Sequence, residues 1–182
     1  HEHLLIDIAG VLPPVAEAGA RGILNDPVST ETLGYIKHHG ASSKDDLRTA
    51  DISTAVEEVL LYKQYGGESL VDVTSLALGR DPVGLARISR ATGVHVVMGA
   101  AFYVQPAHPP GMKDRSEHDI FEQIVRDVTE GVDGTNIRSG IIGEVGCTWS
   151  LTDNERKVLR AAGRAQHLTG APITIHPGRN EK

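Results

Sequence analysis

His1, His3, Glu144 and His176 are the residues of this 182-residue chain whose types and spacing could hold a metal. In an extended segment, His-x-His turns both imidazoles to one face, because strand side chains alternate with period two. Two neutral imidazoles on one face bind a divalent cation well. The pattern is common by chance when it stands alone. It sharpens here because Gly143-Glu144-Val145-Gly146 and Ile175-His176-Pro177 each set a polar residue at the end of an apolar run. If each lies at the C-terminal end of a strand, three imidazoles and a carboxylate converge. Two metal ions about 3.5–4 Å apart repel one another and need an anionic bridge, and a glutamate can give one oxygen to each. A hydroxide held between them is a nucleophile near neutral pH, and the metals polarise a carbonyl or phosphoryl oxygen. The implied reaction is hydrolysis of an ester or amide, with Glu144 as the catalytic candidate. The competing reading makes Glu144 a salt-bridged rim residue and His176 a satisfied core histidine.

From Asp51 onward, helical and extended patterns alternate. Ile52, Ala55, Val56, Val59 and Leu60 share a helix face, and Gly66-Gly67 ends it. A buried strand is expected at 69–74. Asp81-Pro82 caps a helix that Gly93 stops, and a strand follows at 94–98. Ser116 caps a helix carrying Ile120, Phe121, Ile124, Val125 and Val128, with a strand at 140–144 after it. Thr152 and Glu155 have the spacing of a capping box, and the helix they open leads to a strand at 172–176. Apolar strands alternating with helices make a parallel sheet covered by helices. No G-x-G-x-x-G follows any strand, which weakens a doubly wound nucleotide-binding sheet. A (β/α)8 barrel gathers its chemistry at the C-terminal rim, where His1, His3, Thr74, Tyr103, Glu144 and His176 would fall. A strand must precede His1 to hold it, so the expectation is one α/β domain over 1–182. It would be a TIM barrel truncated to about its first five strands and part of a longer protein. Residues 10–50 break the alternation; Pro13-Pro14, Asn25-Asp26-Pro27 and His38-His39-Gly40 read as one long loop after strand one, with His38 and His39 solvated.

The chain carries 40% hydrophobic residues and a net charge of −6. No basic stripe points to nucleic acid, no cationic amphipathic helix points to a membrane surface, and no apolar run could span a bilayer. The expected partner is a small-molecule substrate, and a homo-oligomer is allowed. Cys147 is the single cysteine, which excludes an internal disulfide framework and fits a cytoplasmic, reducing compartment. A small residue packed below a strand end explains it better than a nucleophile does.

The chain resembles the phosphotriesterase family of the amidohydrolase superfamily. The likeness rests on His-Glu-His-Leu at 1–4, Gly-Arg-Asp-Pro at 79–82, Thr-Gly-Val-His-Val-Val at 92–97 and Gly-Ala-Ala-Phe-Tyr at 99–103. It continues with Ile-Ile-Gly-Glu-Val-Gly at 141–146, Glu-Arg-Lys-Val-Leu-Arg-Ala-Ala at 155–162 and Ile-His-Pro-Gly-Arg at 175–179. Gly143 to Asp153 looks most like the phosphotriesterase-related proteins. The resemblance implies a barrel with two divalent metal ions, usually zinc. His1 and His3 match ligands of the more buried ion, His176 a ligand of the other, and Glu144 the bridge. In organophosphate- and lactone-hydrolysing members the bridge is a carbamylated lysine, so glutamate here favours the related-protein branch. Hydrolysis of N-acyl amino-sulfonates such as N-acetyltaurine is an activity of that branch. A sixth-strand histidine and an eighth-strand aspartate would lie after Lys182. Tyr103, Trp149 and Arg179 are candidates for the substrate pocket, with Arg179 able to pair with an anionic group. The alternatives are an organophosphate or lactone hydrolase, and a degenerate barrel that binds a small molecule without turnover.

Overall fold

The structure, a computed structural model, describes residues 2–11, 18–39 and 43–179. His1, the Pro13-Pro14 pair and Gly40 lie outside the described residues. The segment expected to be one long loop is more ordered than that. It contains α1 (Ala18–Asn25), α2 (Thr30–His39) and β2 (Arg48–Thr49), and β2 pairs antiparallel with β1 (Ile6–Asp7), which lies just before the segment. Ser29 starts α2: Ser29 N–H donates to Thr32 Oγ1 at 2.9 Å and Thr32 N–H donates to Ser29 Oγ at 3.4 Å. Ile36 is its one buried residue, so no apolar stripe marks this helix in the sequence. His38 and His39 are exposed at its end, where His39 stacks on Tyr35 with ring centres 3.9 Å apart.

The remaining helices begin where polar side chains can satisfy the free amides of a first turn. Asp51 accepts Thr54 N–H at 2.7 Å and opens α3 (Ile52–Gln64), which buries Ala55 and Val59. Strand β3 (Ser69–Asp72) follows. Asp81 accepts Gly84 N–H at 2.8 Å and opens α4 (Pro82–Thr92), which ends on Gly93 at φ 68°. Strand β4 (His95–Ala100) runs two residues past its expected end. Ser116 and Asp119 form a capping box for α5 (Glu117–Thr129), and β5 (Ile141–Gly146) then carries Glu144 in its interior. Thr152 and Glu155 form the expected box for α6 (Asp153–Thr169), which leads to β6 (Ile173–His176).

The sheet is parallel throughout, in the order β3-β4-β5-β6, and Glu2 bridges alongside Asp72 in the same sense. Spatial order thus follows chain order. A doubly wound sheet reverses direction at a switch point, and among the described residues none occurs. A sheet that winds one way, with a helix on each crossover, is a piece of a (β/α)8 barrel. Two apolar layers fix the sheet to its helices. Leu5, Ala55, Val59, Leu85, Ile88, Val94 and Met98 join β3 and β4 to α3 and α4. Ile120, Ile124, Ile142, Val145, Val158, Ala161, Ala162 and Ala165 join β5 and β6 to α5 and α6. Arg80 pins the layers together, donating to Asp127 at 2.9 Å and to Asp133 at 3.1 Å from a fully buried guanidinium. No helix among the described residues is long and apolar enough to cross a membrane.

Candidate metal centre

Glu144 lies near the C-terminal end of β5 and is 2% exposed. Its backbone N–H donates to Val73 O at 3.2 Å, which draws it against the end of β3. Glu144 Oε1 is 3.5 Å from His3 Nε2, and Oε2 is 3.3 Å from His176 Nδ1. The carboxylate therefore reaches from one histidine to the other with one oxygen for each. His1 is outside the described residues, so its expected place beside His3 is untested. Among the described residues, no group of three or more His, Cys, Asp or Glu side chains is placed so that it could hold a metal ion.

Each histidine is held by neighbours. Asp72, wholly buried, accepts Leu4 N–H at 2.7 Å and Thr74 N–H at 3.0 Å, fixing the segment after His3 to the end of β3. Thr74 Oγ1 lies 2.9 Å from His3 Nδ1. The tautomer of His3 sets which of the two donates; if Nε2 held a metal, Nδ1–H would donate to Thr74. Asp72 and Thr74 thus hold His3 and the segment after it in place. His176 is anchored through its carbonyl, which accepts Cys147 N–H at 3.0 Å. Tyr103 stands edge-on to the His176 ring, centres 5.0 Å apart, with its hydroxyl 3.3 Å from Nε2. Ala101 makes this possible. It takes φ 81°, costly for a residue with a Cβ, and past it Phe102 is buried in the α5–α6 core while Tyr103 reaches His176.

A cavity of about 480 Å³ opens beside His176, lined by Val104, Cys147, Thr148, Trp149, Gly178 and Arg179 among others. Trp149 is 67% exposed and Arg179 is exposed, so both can meet a ligand. Burial pushes the Tyr103 phenol above its ordinary range, the charge of Glu144 adds to this, and Arg179 opposes it. Burial, then the charge of Glu155, raises the Cys147 thiol, which disfavours the thiolate a nucleophile needs. Tyr103 thus lies against His176, and Trp149 and Arg179 line the cavity beside it.

A bound cation would meet an unmet acceptor here. Glu144 Oε1 is buried and has no hydrogen-bond partner among the described residues. Leaving a buried acceptor unmet is expensive. Two ligands of one tetrahedral zinc, at about 2.0–2.2 Å each, stand about 3.3–3.5 Å apart. The 3.5 and 3.3 Å separations on the two sides of Glu144 match that spacing.

The parallel sheet, its chain-order strands and the histidines and glutamate at its C-terminal rim define part of a (β/α)8 barrel. The model of the phosphotriesterase family matches residues 1–182, and the chain belongs to that family. It is 39% identical over 183 residues to the N-acetyltaurine hydrolase of Xenopus tropicalis, covering 99% of this chain and 52% of that protein. Among solved structures, a resiniferatoxin-binding protein from Rhodobacter sphaeroides superposes with TM-score 0.91 at 40% identity, over 97% of this chain and 49% of the other. The phosphotriesterase homology protein of Escherichia coli, complexed with phosphate in its active site, matches with TM-score 0.76 at 25% identity, over 98% and 51% of the two chains. The chain spans about half the length of the relatives it matches.

Proposed function

We propose that the full-length protein is a hydrolase built on two divalent metal ions, zinc by the chemistry of its donors, and that its substrates are N-acyl amino-sulfonates. The observation that carries this reading is the Glu144 carboxylate, buried, with one oxygen toward His3 and the other toward His176. His1 and His3 would hold one ion, His176 the other, and Glu144 both. When bound, the metals supply Lewis acidity toward the scissile carbonyl and lower the pKa of water so that it attacks near neutral pH. The chain's own residues set the rest. Asp72 and Thr74 fix the His3 ring. Tyr103 holds its hydroxyl at the edge of His176, where it can donate to a substrate oxygen. Arg179 offers a fixed positive charge to an anionic head group, and Trp149 a flat apolar wall to the acyl part and its spacer. The glutamate bridge and the similarity to N-acetyltaurine hydrolases support an amide over a phosphotriester or lactone.

The test is to strip the full-length protein of metal, restore zinc, and assay N-acetyltaurine, an aryl phosphotriester and a γ-lactone side by side. Zinc-dependent cleavage of N-acetyltaurine is expected. In Glu144→Gln, which keeps the shape but not the charge, the rate should fall on the order of a thousandfold, the worth of several kcal/mol of charge stabilisation. A zinc-loaded protein that cleaves none of the three overturns the reading. The similarity to a protein named for binding resiniferatoxin favours a second reading, binding without turnover. It would be supported by ligand binding that survives metal removal.

A further inference from the structure

Glu155 does more than a helix cap requires. A capping box needs its carboxylate only for the N-cap amide, and Thr152 N–H donates to Oε2 at 2.9 Å. The same carboxylate, on a wholly buried residue, accepts the Thr148 hydroxyl at 2.8 Å on Oε2 and the Gln105 N–H at 3.0 Å on Oε1. These donors come from three segments: the loop after β4, the loop after β5 and the start of α6. Gln105 is two residues past Tyr103, and Thr148 immediately precedes Trp149. Asn154 Nδ2 donates to Gln105 Oε1 at 3.4 Å and repeats the link. Glycine brings the same loops backbone to backbone. A Cβ on Gly146 would strike the Tyr103–Val104 peptide, and one on Gly178 would strike Thr148 and the Trp149 nitrogen. With no side chain at these crossings to hold the loops apart, the ionised carboxylate is the group that ties them at a fixed spacing.

We infer that Glu155 is a positioning residue whose carboxylate sets the separation of the Tyr103–Val104 and Thr148–Trp149 walls, and so selects the substrate admitted beside His176. This rests on the reading of that cavity as the substrate site. Gln is the informative replacement. It has nearly the same volume, but its NH2 must face either Gln105 N–H or Thr152 N–H, so one donor is always left opposed.

The experiment uses the full-length, zinc-loaded protein as Glu155→Gln and Thr148→Val, with Ser116→Ala as a matched cap loss on α5. Trp149 emission is isolated by subtracting the spectrum of Trp149→Phe, and its quenching by iodide is measured without substrate. In Glu155→Gln, KM for N-acetyltaurine should rise about tenfold while kcat moves much less, since binding geometry is lost and the metal chemistry is kept. Trp149 quenching should increase in both wall variants, zinc content should stay at wild type, and Ser116→Ala should lose thermal stability alone. Wild-type quenching in Glu155→Gln overturns the inference, as does an equal shift of KM and quenching in Ser116→Ala. If Glu155→Gln does not fold, Thr148→Val decides by the same readouts. If the protein hydrolyses nothing, the proposed reaction has failed, and the quenching comparison still decides the role of Glu155.

Discussion

A carboxylate buried beside two imidazoles is stable only if something positive lies close to it. At Glu144 the proposed metal ions would supply that charge, with His3 as one of the ligands. His3 directs Nδ1 to Thr74 and Nε2 to Glu144, the disposition of a ligating imidazole whose second nitrogen is fixed by a neighbour. Thr74→Val removes that neighbour without changing the side chain's shape. Zinc affinity, measured by competition with a chelator, should fall roughly 10–100-fold, the usual loss when such a partner is removed. Wild-type affinity in that variant would mean that His3 is not a ligand. The meeting of His3, Glu144 and His176 was legible in the sequence because chemistry restricts their types and the strand pattern restricts their places. Thr74 was visible only as a polar strand-end residue. Its task depends on a contact across 71 positions, which no local pattern encodes.

The elements that were legible are those with both an apolar stripe and a polar cap. Asp81, Ser116 and Thr152 announced α4, α5 and α6, and each cap forms. Helix α2 was missed because it buries only Ile36, and β1 and β2 because two-residue strands leave no alternation to read. The opening of α6 was read as a capping box, which was correct but partial, since the Gln105 amide reaches Glu155 from 50 positions away. That cluster also gives the fold an acid-sensitive joint. Burial pushes the Glu155 carboxyl upward, but the amides of Thr152 and Gln105 and the Thr148 hydroxyl outweigh it, and the net pKa is below the ordinary 4.5. A lowered folded-state pKa means the ionised form stabilises the fold. That contribution is complete above about pH 4.5 and drains away as pH falls through the lower folded value. Thermal melts between pH 7 and 3 should therefore show a steeper acid decline for wild type than for Glu155→Gln. Parallel declines would show that the carboxylate's charge contributes nothing.

At the scale of the molecule, the sheet has two open sides. Among the described residues, the outer edge of β3 is paired through the Glu2 bridge alone and β6 has no outer strand partner. Val71 and Ile175, on those two strands, are 40% and 50% exposed, and an open groove of about 540 Å³ runs past Glu2, Leu4, Leu70 and Val71. Unpaired parallel edges and uncovered apolar side chains are unstable in water. Residues 1–182 expressed alone should therefore melt weakly, bind a hydrophobic dye and hydrolyse nothing. A cooperative monomeric transition with turnover equal to that of the full-length protein would contradict this. Barrel direction and helix order could be inferred from the alternation of patterns, whereas the closeness of the three rim loops at Gly146 and Gly178 depends on backbone contacts that appear only once the chain is folded.

The central claim, that Glu144 joins two metal ions, is tested most directly by anomalous X-ray diffraction from zinc-loaded crystals of the full-length protein. Two peaks about 3.5–4 Å apart are expected, one within bonding distance of each Glu144 oxygen, with His3 on one ion and His176 on the other. A Glu144 carboxylate hydrogen-bonded to both histidines, with no metal on either oxygen, would contradict the account.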